Sequence, residues 1–182
     1  ATGAATTVTL PSINFTGNGY HTISINLSAA NGEIVPNCFD TRTNLAFTAN
    51  LTATVPPVSE TFAVVAFPPA GWGYFDTDGD AVTWARSNVG AGANNGSMKM
   101  DYYNSVAGSV DDLYLPAVDM TSVTSAYLTF KINKAPYTGY TDVLRVVSST
   151  DCGTNWSTIW TKSDPTLSTV AASSSSYTAT TA

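Results

Sequence analysis

Residues 76–84 read DTDGDAVTW, and they are the one place in the chain where chemistry visibly concentrates. Asp76, Asp78 and Asp80 alternate, a glycine sits among them, and Trp84 closes the run. The three acids occupy positions 1, 3 and 5 of a calcium-loop pattern, in which hard cations collect oxygen ligands from carboxylates, carbonyls and amides. An EF-hand further needs Gly at position 6 and a bidentate Glu at position 12. Those places hold Ala81 and Ser87, so an EF-hand is excluded. A solvated acidic turn between two strands is the plainer alternative.

Catalytic readings find less to work with. A single histidine, His21, and the lack of HExxH leave a catalytic zinc without ligands. A Ser/His/Asp triad would depend on that same histidine, with no GxSxG turn to present the serine. A glycosidase needs two carboxylates flanking a cleft, one with a raised pKa, and nothing in the pattern marks such an acid. The chain is therefore not expected to be an enzyme, although a longer precursor could carry a catalytic domain elsewhere.

Aromatic side chains are the other candidates. Tyr102, Tyr103 and Tyr140 lie in loop-like stretches, MKMDYYNSVAG and PYTGYTD, and are expected to make surface contacts with a glycan or protein ligand. Trp84 and Trp156 sit in strand-like surroundings and are expected in the core, where large aromatics usually go.

Composition limits what positions these residues. Of 182 residues, 43% are hydrophobic, enough for a core, but only 11% are charged, against roughly 25% in an average domain. Thr, Ser and Asn carry the polarity, which suits strands and turns. With seven Lys+Arg and a net charge of −6, the chain is not built to track nucleic acid or to dock on an anionic membrane. No run reaches the about 18 apolar residues of a spanning helix. The N-terminus, ATGAATTVTL, has no initiating Met, basic region or apolar run, so it does not read as a signal peptide. The chain reads as an internal piece of a longer precursor. Cys38 and Cys152 are the two cysteines; a disulfide between them, pairing outside the chain, and free thiols all stay open.

Period-two alternation dominates. HTISINLSA places Ile23, Ile25, Leu27 and Ala29 on one face. Asn31-Gly32 is a hairpin signal, with GEIVPNCF as the return strand. NLAFTANLTAT alternates again. TVPPVS, with Pro56 and Pro57, reads as a linker. Beyond it, ETFAVVAF, YLTFKINKA (Leu128, Phe130 and Ile132 on one face), DVLRVVSST (Leu144 and Val146, Arg145 outward) and TNWSTIWTKS are strand candidates. The fold class is all-β. The terminal AASSSSYTATTA has little to bury, so the second unit, with about five or six strands, reads as C-terminally incomplete.

The series ETF, FPPAGW, DTDGDAVTW, DDLYLPAVDM, YLTFKIN, DVLRVVSSTDCGTNW resembles the cleaved-adhesin and "choice-of-anchor J" modules of Bacteroidetes. Those are jelly-roll β-sandwiches, MAM-like in architecture, in large proteins exported by the type IX secretion system. The resemblance covers roughly residues 59–170. GYHTISINLSAANGE is similar to the closing strands of a PKD-type immunoglobulin-like domain. The resemblance implies an Ig-like (PKD-type) β-sandwich ending over residues 1–51, a Pro-rich linker at 52–59 and a jelly-roll module over 60–182. It also implies a structural Ca2+ held by Glu60, Asp78, Asp80 and Asp112, with Asp76 and Asp111 as further candidates. Its function would be adhesion or glycan or protein binding on a secreted or surface-anchored bacterial protein. The alternative is a structural spacer, or an accessory module of a secreted protease, with no ligand of its own.

Overall fold

The computed structural model describes residues 19–26, 29–30, 33–34, 42–49, 53–151, 153 and 155–180. Ten strands follow in order: β1 Gly19–Asn26, β2 Ala29–Ala30, β3 Glu33–Ile34, β4 Arg42–Ala49, β5 Gly73–Asp76, β6 Ala85–Ser87, β7 Ser97–Lys99, β8 Asp111–Tyr114, β9 Val143–Ser148 and β10 Ser157–Ser163. Among the described residues there is no helix, and every ladder is antiparallel and two-stranded: β1–β4, β2–β3, β5–β8, β6–β7 and β9–β10. The protein is mainly β.

In the first part, β2 pairs antiparallel with β3, Ala29 opposite Ile34 and Ala30 opposite Glu33; the turn expected at Asn31-Gly32 lies itself outside the described residues. The long partner of β1 is not the GEIV segment but β4, with Gly19 opposite Ala49 and Asn26 opposite Arg42. The rest of the GEIVPNCF segment, beyond Ile34, lies outside the described residues. The uninterrupted eight-residue β4 can pair along the whole of β1. The question of Cys38 and Cys152 lies outside the described residues.

In the second part, β9 and β10 occupy the expected segments, with Leu144 and Val146 more buried than Val143, Arg145 and Val147. A bulge interrupts the register between Thr158 and Trp160. Two other apolar runs differ from expectation. Residues 127–133 form no strand, although Phe130 does meet Trp160 edge-on at 5.4 Å. Alternation specifies which face is apolar; a strand also needs a neighbour for its backbone groups. Residues 60–67 form no strand either. Phe62 takes a left-handed φ of 54°, which breaks extended geometry for a bulky residue.

That bend is held from three sides. Glu60 Oε1 accepts the Phe62 N–H at 2.6 Å, and Arg86 donates Nε and Nη2 to the Phe62 carbonyl at 2.9 and 2.7 Å. The Phe62 ring meets Trp72, one of the two buried apolar side chains among the described residues, at 5.2 Å. Gly96 donates its N–H to Thr61 O at 3.1 Å. A Cβ there would lie 2.4 Å from Phe62 O and 2.7 Å from Ser87 O, so only glycine lets these backbones approach. Leu167 is the other buried apolar residue. The proline stretch is tied down at Thr54, which bridges Val118 through Thr54 N to Ala117 O and Asp119 N to Thr54 O.

Candidate functional site

The acidic stretch leaves the sheet at the end of β5 and faces the start of β8. The register places Asp76 opposite Asp111 and Phe75 opposite Asp112. Cross-strand partners share a face and successive residues alternate faces. Asp111 therefore joins Asp76, while Asp112 lies on the reverse face with an exposed carboxylate that accepts the Tyr114 hydroxyl at 3.5 Å.

Within the loop the carboxylates fold the backbone around themselves. Asp76 accepts the N–H groups of Gly79 at 2.6 Å and Ala81 at 3.0 Å; Asp80 accepts that of Val82 at 2.7 Å. Gly79 and Ala81 have φ of 74° and 66°, which turns the chain sharply enough to bring oxygens of Asp76, Asp78 and Asp80 within 4.8 Å of one another. Glu60 stands outside this group, exposed and committed to the Phe62 N–H.

The loop also grips its neighbour. Asp80 Oδ2 accepts the Ser109 hydroxyl at 3.0 Å and the Val106 N–H at 3.3 Å. Asp78 Oδ2 accepts the Val110 N–H at 3.3 Å, and Thr77 donates its N–H to Val110 O at 3.3 Å. Trp84 Nε1 donates to Asp111 O at 3.1 Å, so its half-buried ring is anchored by its polar edge. Residues 106–111 are thus lashed to 77–84.

Electrostatics separate two members of this group. The Ser109 hydroxyl foremost, with the Asp80 and Val110 N–H groups, holds Asp78 below the usual carboxylate value. Burial pushes Asp111 up; the nearby Thr83 hydroxyl opposes this, and the charges of Asp76, Asp78 and Asp80 add to it. Asp111 Oδ1 and Thr83 Oγ1 are buried without a hydrogen bond of ordinary geometry. A part-buried carboxylate that feels the charge of three nearby acids adds to the negative field in which a hard cation would be favoured. The all-oxygen donor set of Asp76, Asp78 and Asp80 fits such an ion, and Asp111 stands across the ladder from Asp76 without joining that group.

The chain that leaves β7 passes an open hollow of about 280 Å³, lined by Val82 and Thr83 on one side and Lys99, Asp101 and Asn104 on the other. There it reaches the two adjacent tyrosines, which diverge. The Tyr102 ring lies under the Lys134 ammonium, 5.5 Å from the centroid, and its hydroxyl is pushed up to about 12 by burial and by the charges of Asp142, Asp164 and Asp111. Tyr102 is thus half-buried, with one face of its ring under the Lys134 ammonium.

Tyr103, 47% exposed, meets Tyr137 edge-on at 5.4 Å, and Tyr137 meets Tyr140, 59% exposed, at 5.3 Å. Tyr137 and Tyr140 are positioned by a turn, with Tyr140 N donating to Tyr137 O at 3.1 Å and Gly139 at φ 87°. Thr138 N donates to Ser173 O at 2.9 Å and ties this turn to the C-terminal segment. Tyr137 was not singled out in the sequence, although it shares the stretch PYTGYTD with Tyr140. Its signal was the i, i+3 spacing around a glycine, which suits a turn presenting both rings.

Trp156, expected in the core, is 49% exposed, with its ring 6.0 Å from Tyr114. Compared with known proteins, the chain matches no protein-family model, no curated protein and no solved structure.

Proposed function

We propose that this chain is a non-catalytic binding module of a larger exported bacterial protein, and that it takes a glycan on the Tyr103–Tyr137–Tyr140 platform. The observation that carries the reading is the contact chain of three tyrosine rings, two of them about half exposed. Tyrosine offers a flat apolar face with a hydroxyl at its rim, which matches a sugar ring that is apolar across its C–H face and polar at its edge. Asp101 and Asn104, which flank Tyr102 and Tyr103 in sequence and line the hollow, supply acceptors and donors for sugar hydroxyls.

Calcium completes this reading as a structural ion. Asp76, Asp78 and Asp80 would hold it, with Asp111 nearby across the ladder from Asp76, and it would supply the positive charge that the clustered carboxylates lack. Asp78 and Asp80 hold residues 106–110, which follow directly on the segment carrying Tyr103. A rigid acidic loop therefore sets the platform's position.

In this reading, residues 60–182 are a jelly-roll module of the secreted or surface adhesin type. Residues 1–51 are the end of an Ig-like unit, and 52–59 a linker docked at Thr54. A glycan array probed with the wild-type chain and with Tyr103→Ala and Tyr140→Ala variants tests it. Retention by the wild type and loss in both variants is the expected result. A wild type that retains nothing would leave a spacer module.

A further inference from the structure

Lys134 is the one buried charged residue among the described residues, with 8% of its surface exposed. Its Nζ lies 2.8 Å from Asp164 Oδ2 and 2.9 Å from Asp142 Oδ2, and those side chains are only 6% and 19% exposed. The Tyr102 ring covers the ammonium. Asp164 is gripped further: Ser168 Oγ donates to its Oδ1, and the Asp142 N–H donates to its Oδ2 at 3.0 Å. One ammonium thus faces two carboxylates where little water reaches. The carboxyl carbon between Oδ1 and Oδ2 of Asp164 is polarised by donors on both oxygens, as in an oxyanion hole.

We propose that Lys134 and Asp164 condense to an isopeptide bond, with Asp142 as the proton carrier. The Lys134 ammonium passes one proton to Asp164 Oδ2 along the 2.8 Å contact, which leaves a neutral amine and a carboxylic acid. The amine lone pair attacks Cγ of Asp164, forming the N–C bond, while a second proton moves to the Asp142 carboxylate at 2.9 Å. The tetrahedral oxygen charge falls on Oδ1, opposite the Ser168 hydroxyl. Asp142 then returns its proton to Oδ2, the C–Oδ2 bond breaks, and water leaves. One ammonium and one carboxylate become one amide and one water, with no oxidation or reduction and with Asp142 regenerated.

Burial pulls the Asp164 carboxyl up, but the hydrogen bonds from Lys134, Ser168 and the Asp142 N–H outweigh it and hold it below the usual value. The sequence of steps accordingly begins from an ion pair. Proximity of this quality replaces much of the entropic cost of joining amine and acid.

The location gives the bond a structural use. Residues 134 and 164 bracket the β9–β10 ribbon, whose base is already pinned by Asp164 N to Asp142 O at 3.1 Å. A two-stranded ribbon is marginal alone, and among the residues whose side chains are described just two apolar ones, Trp72 and Leu167, are buried. A covalent clasp restricts the unfolded chain where the core is thin.

Intact-mass spectrometry of the purified chain, shown to melt cooperatively, decides the matter. The expected mass is that of the sequence less one water, with a branched peptide joining Lys134 to Asp164 and no tryptic cleavage after Lys134. The full sequence mass in the cooperatively melting chain would overturn the proposal. Asp142→Asn is expected to carry the full mass; loss of water in that variant, or a branch to Asp142 instead, would overturn the roles assigned here.

Discussion

Asp76 and Asp111 stand directly opposite each other across the β5–β8 ladder, two like charges on one face of a two-stranded ribbon. Such a pair is destabilising unless something of opposite charge lies between its members. Because burial and its acidic neighbours raise Asp111 above its ordinary value, ionising it costs stability. That cost is fully present above the folded pKa and is relieved as pH falls through it. Asp111→Asn is expected to raise the melting temperature in chelator and to remove any further gain from calcium. For the wild type, calcium at a hundredfold excess over its Kd should add about 2.7 kcal/mol, a rise of roughly 5–10 °C. Calorimetry with and without calcium checks both halves.

Adjacent tyrosines are expected to behave differently. Tyr103→Ala and Tyr137→Ala should each weaken glycan binding by about tenfold or more, near 1.4 kcal/mol, with little change in melting. Tyr102→Ala should instead lower stability, because its ring covers Lys134. Urea unfolding and calorimetric titration on the same three variants separate the two behaviours.

Arg86 holds the left-handed Phe62 through two donors on one carbonyl. Lysine cannot reproduce that fork, so Arg86→Lys is expected to cost about 1–3 kcal/mol by leaving the carbonyl poorly paired. Gly96→Ala acts on the same segment by steric overlap with Phe62 O and Ser87 O, and should cost about 1–3 kcal/mol as well. Equilibrium unfolding of both variants measures this.

Asp151 closes the turn before β10. Its carboxylate accepts the Asn155 N–H at 2.9 Å, Asn155 Nδ2 at 2.6 Å and the Ser149 hydroxyl at 2.7 Å. Those bonds, the Asn155 N–H first, hold it down at about 2. A depressed carboxylate adds stability above its unfolded value, 3.8, and that stability is lost as pH falls through the folded value of about 2. Carboxyl NMR should therefore show Asp151 titrating near 2, and Asn155→Ala should move the midpoint back toward 3.8.

Period-two alternation announced β1, β4 and β9 because their apolar residues are frequent enough to show it, while β-branched neighbours of Trp160 announced β10. β5 and β8 are four residues each and carry aspartates, so neither stood out. The stretch 127–133 alternates well yet has no ladder partner, since pairing depends on residues far away in sequence. The same limit governs the site. Composition and spacing marked Asp76, Asp78 and Asp80, but which of Asp111 and Asp112 faces them is a matter of register. Spacing marked Tyr102 and Tyr103 together, while the burial that separates them comes from Lys134, more than thirty residues on.

Retention of a glycan from the array, measured first in calcium and again after chelation, tests most directly the claim that an ion-braced loop carries a sugar-binding platform. The predicted result is retention in calcium and a loss of about tenfold or more in affinity, near 1.4 kcal/mol, on chelation. Equal retention under both conditions, or no glycan retained under either, would contradict it.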